Sequence, residues 1–221
     1  MRAHRGFTVV EVLTVIIIVG LVLAAIAMAM PLILNAPQAA QSQVDNVNTA
    51  ALALYKMQRD VRQSNINGVY ACTLPPSVTC SQPAPASSNP PVAAVGVVTA
   101  DNGSGQFQAN GFGAPKWTGL YVYWLTPNAD GTSNELDRAY YPVGIPMAGG
   151  APDPKLMPGV VTTAINAVVG ASSYTAVAQD VVSISVAIDK PNNIVDLQID
   201  GGTNKGDLSS LRLSGNSYVR N

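Results

Sequence analysis

The chain is short of charged residues. Lys, Arg, Asp and Glu make up 11% of its 221 residues, whereas soluble domains usually carry about 25%. The 12 basic residues are balanced by 13 acidic ones, for a net charge of −1 at pH 7. A protein that neutralises the phosphates of nucleic acid needs a surplus of Lys and Arg on one face. We therefore expect no nucleic-acid partner.

Side chains that commonly carry out catalysis or bind metals are also scarce. The chain has one histidine, His4, and two cysteines, Cys72 and Cys80. A Cys–His nucleophile or a mixed Cys/His metal site needs more of these groups than the chain offers. Asp and Glu residues are scattered, and no pattern selects a catalytic pair. The sequence therefore predicts no catalytic residue, no metal ligand and no cofactor.

One long apolar run is present, over residues 7–34, and its only ionisable side chain is Glu11. About 20 apolar residues are enough to span a bilayer, so the run predicts one transmembrane helix and excludes a protein that crosses the membrane several times. Arg2 and Arg5 precede it, and positive flanks remain in the cytoplasm, so the C-terminus is expected outside. The run is too long for a cleaved secretory signal. A plain signal anchor is the simplest interpretation.

Glu11 is difficult to explain in a plain anchor, because a carboxylate in a membrane-spanning helix costs several kcal/mol unless it meets a partner. The surrounding run, Gly6-Phe7-Thr8-Val9-Val10-Glu11, resembles the type III signal of type IV pilins and pseudopilins. The resemblance implies cleavage after Gly6 by the prepilin peptidase, N-methylation of Phe7 as the new first residue, and a hallmark acid at Glu11. It also implies assembly with other pilin subunits.

Physical chemistry gives Glu11 a role in such an assembly. Cleavage before Phe7 creates an ammonium group at the start of an apolar helix, and the Glu11 carboxylate can neutralise it in the same molecule or in a neighbour. We expect Glu11 of one subunit to face the Phe7 amine of another, which fixes the axial register. Loss of one partner would leave the other charge buried alone.

Beyond the membrane, over residues 35–67, the helix is predicted to continue with one apolar side that lies on a sheet. Pro31 and Pro37 interrupt its hydrogen bonds, and we expect a kink near Pro31. An Asn-x-Asn-Gly run at residues 65–68 predicts its end. The predicted apolar stripe is Val44, Val47, Ala51, Leu54 and Val61, and the predicted outward set is Gln41, Asn46, Asn48, Lys56 and Arg59.

A charged run, Arg-Asp-Val-Arg-Gln at residues 59–63, closes this helix. It resembles the J-type minor pseudopilins of type II secretion and the related minor pilins that prime type IV pilus assembly. The final residues 217–221 resemble the C-terminal strand of J-type chains. The alternative is a charged helix end that is merely solvated.

The remainder is predicted to be a β-rich domain. Cys72 and Cys80 enclose a short loop, and two cysteines on an oxidising membrane face are most simply a disulfide. Strands are predicted at residues 119–125, 138–141, 181–188, 194–199 and 208–219, whereas residues 160–169 fit either a helix or a strand. A long helix over an antiparallel sheet is an α+β, pilin-like architecture. The predicted organisation is a leader at 1–6, a transmembrane helix at 7–34, an amphipathic half-helix at 35–67 and a globular domain at 68–221.

Three classes of function remain open: a structural minor pilin or pseudopilin, an adhesin or DNA-uptake pilin that binds a ligand through the globular domain, and a membrane-anchored periplasmic enzyme. Two oxygen-rich loops, at 128–137 and 196–207, lack a recognisable spacing of Ca²⁺ ligands. Aromatic residues at 121–124 are assigned to the sheet core rather than to a sugar-binding platform. We therefore expect a structural subunit of the inner membrane that enters a periplasmic or cell-surface filament, and not an enzyme.

Overall fold

The computed structural model of the chain describes residues 9–85, 88, 90–109, 111, 113, 115–129, 131, 133–143, 158–171, 173–201 and 211–218. The chain forms two compact units, Met1–Asp45 and Asn46–Asn221. The second unit holds the whole β-sheet.

The first element is helix α1, Val9–Arg62, which begins in the first unit and ends in the second. Pro31 and Pro37 lie within it. Each proline lacks the N–H that an interior helical residue donates, yet the helix continues past both. The kink near Pro31 stays a prediction.

Helix α1 ends at Arg62, just before the predicted stop at residues 65–68. After Arg62 the chain turns, and the Asn65 side chain accepts a hydrogen bond of 2.9 Å from the Asn67 amide. Asn65 thereby caps a 3-10 helix, Ile66–Gly68, in the way that Asn side chains commonly satisfy the first amides of a helix.

The strands that follow form one antiparallel sheet, with nine strands among the described residues. The elements are β1 (Val69–Cys72), β2 (Cys80–Ser81), β3 (Pro91–Val92), β4 (Ala94–Thr99), β5 (Gly119–Pro127), β6 (Asn134–Pro142), helix α2 (Pro158–Val168), β7 (Thr175–Asp189), β8 (Ile194–Gly201) and β9 (Leu211–Tyr218). The strand order is β2-β1-β4-β5-β6-β7-β8-β9, and β3 pairs separately with β7. The α+β, pilin-like arrangement is confirmed.

The five predicted strands correspond to β5–β9. The ambiguous segment is helix α2, because its buried residues recur at helical spacing: Val161, Ala164, Ile165 and Val168. Strands β1 and β4 were not predicted. Every residue of β4 is buried, so no alternation of polar and apolar side chains marks it in the sequence.

Helix α1 contacts the sheet through a set of residues that only partly matches the predicted stripe. Its buried positions are Ala50, Ala53, Leu54, Met57, Asp60 and Val61. Leu54 and Val61 of the predicted stripe are confirmed. Val44 is 58% exposed, Val47 is 38% exposed and Ala51 is also exposed, so the prediction is wrong at these three positions. Asp60, which belongs to neither the predicted stripe nor the predicted outward set, also lies on the buried face.

The sheet has a hydrophobic core on each side. Along β5, Tyr121 and Tyr123 join the core beneath α1, whereas Leu120, Val122 and Trp124 join the core beneath α2. Helix α2 approaches β4 closely because residue 96 is glycine: a Cβ there would lie 2.6 Å from Val161 Cγ1. At the edge of the sheet, Cys72 and Cys80 are paired across β1 and β2 and form the predicted disulfide.

Candidate functional site

The N-terminal part of α1 is apolar on all sides. The segment Val9–Met30, 22 residues, is long and apolar enough to cross a membrane, and it alone meets that description among the residues described. None of its residues is buried against the rest of the chain. A helix that is apolar all round and unburied within its own fold needs another apolar environment, such as a bilayer or other helices.

Glu11 is the only ionisable residue of this segment and lies in the first turn of the described helix. Gly6 and Phe7, the predicted cleavage and methylation residues, lie outside the described residues. The expected pairing of Glu11 with the Phe7 amine of a neighbour therefore stays a prediction.

The neighbouring polar residue of this segment is Thr14. Its hydroxyl lies 3.0 Å from the Val10 carbonyl oxygen and 2.9 Å from the Glu11 carbonyl oxygen, and it donates within its own helix. A hydroxyl that bonds to the preceding turn is tolerated in apolar surroundings because no polar group is left unsatisfied. Thr14 therefore needs no second molecule.

A second polar cluster lies where the other end of α1 meets the sheet. The carboxylate of Asp60 is fully buried. Its Oδ2 accepts hydrogen bonds from Arg138 Nη2 at 2.7 Å, from Arg138 Nε at 3.0 Å and from the Tyr123 hydroxyl at 2.5 Å. Arg59 reaches the other oxygen, Oδ1, at 3.3 Å. The Arg138 guanidinium also lies 3.8 Å from the centroid of the Tyr121 ring, in cation–π contact.

The charges in this cluster stabilise one another. Burial lowers the pKa of Arg138, but the neighbouring Tyr123 and Asp60 outweigh burial and raise it overall. Burial and the charge of Asp60 raise the pKa of Tyr123. Arg138 is therefore always cationic, Tyr123 is neutral at physiological pH, and the cluster fastens α1 to β5 and β6. At least Asp60 of the charged run 59–63 is thus a buried structural residue rather than part of a merely solvated helix end.

The other candidate sites considered in the sequence lie either in the buried core or partly outside the described residues. The aromatic residues Tyr121, Tyr123 and Trp124 are buried in the sheet and form no sugar-binding platform. The two oxygen-rich loops include residues 130, 132 and 202–207, which lie outside the described residues. Within the described part of the chain, no three His, Cys, Asp or Glu side chains lie close enough together to hold a metal.

Comparison with known proteins gives one match, at the N-terminus. Residues 1–27 match the prokaryotic N-terminal methylation motif. No curated protein and no solved structure matches the chain. The match covers Gly6, Phe7 and Glu11, and it implies processing by the prepilin peptidase, anchoring in the inner membrane and assembly with other subunits of the same structural kind.

Proposed function

Because the N-terminal segment is type IV pilin-like, we propose that this protein is a structural minor pilin or pseudopilin. It is inserted in the cytoplasmic membrane, cut between Gly6 and Phe7, methylated on Phe7, and assembled through its N-terminal helix. The product is a type IV pilus-like filament or a type II secretion pseudopilus. The observation that carries the proposal is the methylation motif at residues 1–27, placed directly on an unburied apolar helix that contains one acid.

The finer parts of the proposal concern the organisation of the whole chain. Residues 1–6 are the leader, residues 7–34 cross the membrane, residues 35–67 continue the helix and residues 68–221 form the globular domain outside the cytoplasm. The J-type subclass rests on the charged run at residues 59–63 and on the final residues of the chain. A disulfide between Cys72 and Cys80 suits an oxidising compartment.

Cleavage is tested by replacing Gly6 with Val in cells that contain a prepilin peptidase. We expect the variant to stay longer than the mature protein by the six residues of the leader (1–6), as measured by intact-mass spectrometry. Gly20→Ala is the matched control, because a Cβ at Gly20 meets no atom within 4 Å and the residue lies inside the apolar helix. Normal processing of the Gly6 variant would contradict the assigned cleavage site.

The role of Glu11 is tested by Glu11→Val. We expect the variant to insert in the membrane and to be cleaved, but to be poorly incorporated into the filament fraction, because the neighbouring ammonium group loses its counter-charge. Thr14→Val is the control: it removes a polar group of the same helix whose hydrogen bonds stay within that helix. Equal incorporation of both variants would remove the charge-pairing role.

A further inference from the structure

Strand β9 forms one edge of the sheet. It has eight residues, and all of them are paired with β8. No strand among the described residues pairs with its other side. The strand contains no proline, so none of its backbone amides is missing. A long edge strand of this kind is a template for one more strand.

The other edge strands of the sheet are protected. Strand β2 has two residues and is linked to β1 by the Cys72–Cys80 disulfide. Strand β3 also has two residues and begins with Pro91. Very short edge strands and prolines are common devices against unwanted pairing. Among the described strands, β9 is therefore the edge best suited to accept another strand.

One side of helix α1 lies above β9. The Ser217 hydroxyl donates a hydrogen bond of 3.2 Å to the Gln58 carbonyl oxygen. Gly215 leaves room for the Gln58 side chain, because a Cβ at residue 215 would overlap it. The far side of the helix carries Asp60, which contacts β5 and β6. Gln58 therefore marks the side of α1 that faces the β9 edge.

The same side of α1 carries exposed apolar residues, which we call the α1 ridge: Val47, Ala51 and Tyr55. They lie in line with Gln58 because they precede it at spacings of three and four residues. Val47 is 38% exposed, Tyr55 is 63% exposed and Ala51 is also exposed. The described sheet ends at β9, so no described strand covers the ridge.

The edge and this side of the helix match in length. Residues 47–62 extend roughly 23 Å along the helix axis, and an eight-residue strand is about as long. Arg62 continues the line beyond Gln58. It is exposed, and neither of the salt bridges found among the described residues includes it. A strand placed beside β9 would therefore meet apolar side chains along the ridge and a cation at one end.

We propose that the β9 edge and the α1 ridge bind an extended strand of a different protein chain. Its backbone pairs with β9, which supplies main-chain hydrogen bonds for almost any sequence. Alternate side chains of the strand face α1, and the ridge selects apolar residues at those positions. Arg62 favours an acidic residue at the end of the strand that lies nearest to it. The interface belongs to the globular unit and does not depend on the methylation motif.

A second copy of this chain fits the edge poorly. Two β9 edges that pair with both α1 helices on the same face of one sheet are related by a two-fold axis, so the strands are antiparallel. The two helices would then run in opposite directions. Two subunits anchored in one membrane by the same helix cannot adopt that arrangement.

The experiment uses a synthetic peptide of about ten residues as the probe, in which Val alternates with Thr and Glu stands at each end. The full-length protein in detergent is followed by hydrogen–deuterium exchange with mass spectrometry. We expect the peptide to slow the exchange of the β9 amides in a saturable way, because their outward N–H groups become hydrogen-bonded. A peptide of the same composition with its Val residues in one block should bind at least tenfold more weakly.

The ridge is tested by Tyr55→Ser, which should weaken peptide binding by about tenfold. Leu52→Ser is the matched control, because Leu52 is an apolar residue of the same helix, is 52% exposed and lies outside the ridge. Both positions are exposed, so both variants are expected to fold, as checked by circular dichroism. Unchanged β9 exchange at saturating peptide, or equal binding by the two variants, would overturn the proposal. Slower β9 exchange with rising protein concentration alone would assign the edge to a second copy and would overturn it as well.

Discussion

Replacing Arg138 with Met is expected to destabilise the globular unit by about 3–5 kcal/mol, the cost of removing one partner from a buried ion pair. Arg138 donates two hydrogen bonds to Asp60 Oδ2, at 2.7 and 3.0 Å, and the Asp60 side chain is fully buried. Met preserves much of the apolar stem of Arg138. The loss is therefore mainly electrostatic, because the carboxylate stays in the core without its closest cation.

The matched control is Arg59→Met, which removes a cation from the same carboxylate. The Arg59 guanidinium lies 3.3 Å from Asp60 Oδ1, and its side chain is 47% exposed, against 20% for Arg138. An ion pair with an exposed partner contributes about 0–1 kcal/mol, because water already solvates that partner. The difference between the two variants isolates the effect of burial.

Stability is measured by urea unfolding of the full-length protein in detergent, followed by the fluorescence of Trp117 and Trp124. The double variant Asp60→Leu/Arg138→Met should be more stable than Arg138→Met alone, because it no longer buries a carboxylate without its cation. Equal losses for Arg138→Met and Arg59→Met, or additive losses in the double variant, would refute the reasoning.

Three further predictions concern other parts of the sheet. Gly119→Ala should lower the free energy of unfolding in urea by about 1–3 kcal/mol, because its Cβ would overlap the Tyr140 ring. The control Gly159→Ala, whose Cβ meets no atom within 4 Å, should leave the free energy of unfolding unchanged. Equal losses for the two variants would contradict the overlap. Burial raises the pKa of Tyr121 to about 12, whereas its pKa in the unfolded chain is about 10. The stability gained from the neutral phenol is therefore complete below the unfolded pKa and is lost as the pH rises through the folded pKa. Tyr121→Phe should therefore reduce the loss of stability over that alkaline range, as measured by circular dichroism, and an unchanged pH profile would argue against this cause. Reduction of the Cys72–Cys80 disulfide should lower the free energy of unfolding by about 2–3 kcal/mol, as expected for a short loop, and Cys72→Ser should show the same loss without reductant.

Local patterns predicted the long helix and strands β5–β9, and they left residues 160–169, which form helix α2, open between helix and strand. The run at residues 119–125 is aromatic and β-branched, and it pairs with β6 in an unbroken register from Gly119–Pro142 to Pro127–Asn134, so the hairpin follows from side-chain type and a polar turn. Strands β4 and β5 both lack alternation, because most of their residues are buried on both faces. They differ in composition: residues 119–125 are rich in aromatic and β-branched side chains, whereas β4 is shorter and contains Ala94 and Gly96, which have low β-propensity.

The buried polar groups escaped prediction for a different reason. Asp60 and Arg138 are 78 positions apart, and nothing near Asp60 indicates that a cation on another strand will meet it. Alternation along β6 places Asp137 on the α2 face of the sheet. Its burial, however, depends on side chains from other elements that pack in the same core, where Trp124 meets Tyr174 edge to face with ring centroids 5.7 Å apart. Such sites depend on tertiary contacts, which residue patterns along one element do not encode.

Helix α1 carries one carboxylate near each end, and the buried one shows what the other requires. Asp60 is withdrawn from water and is tolerated because a guanidinium and a hydroxyl converge on it. Glu11 lies in a segment suited to hydrocarbon, where the same requirement applies, and the proposed cation is the Phe7 amine of a neighbouring subunit. If charge is what matters, Glu11→Asp should be incorporated into filaments better than Glu11→Gln, because Gln keeps the shape and hydrogen-bonding capacity of Glu but not its charge. Incorporation of Glu11→Gln at the level of the unchanged protein would mean that hydrogen bonding suffices and that charge pairing does not hold the register.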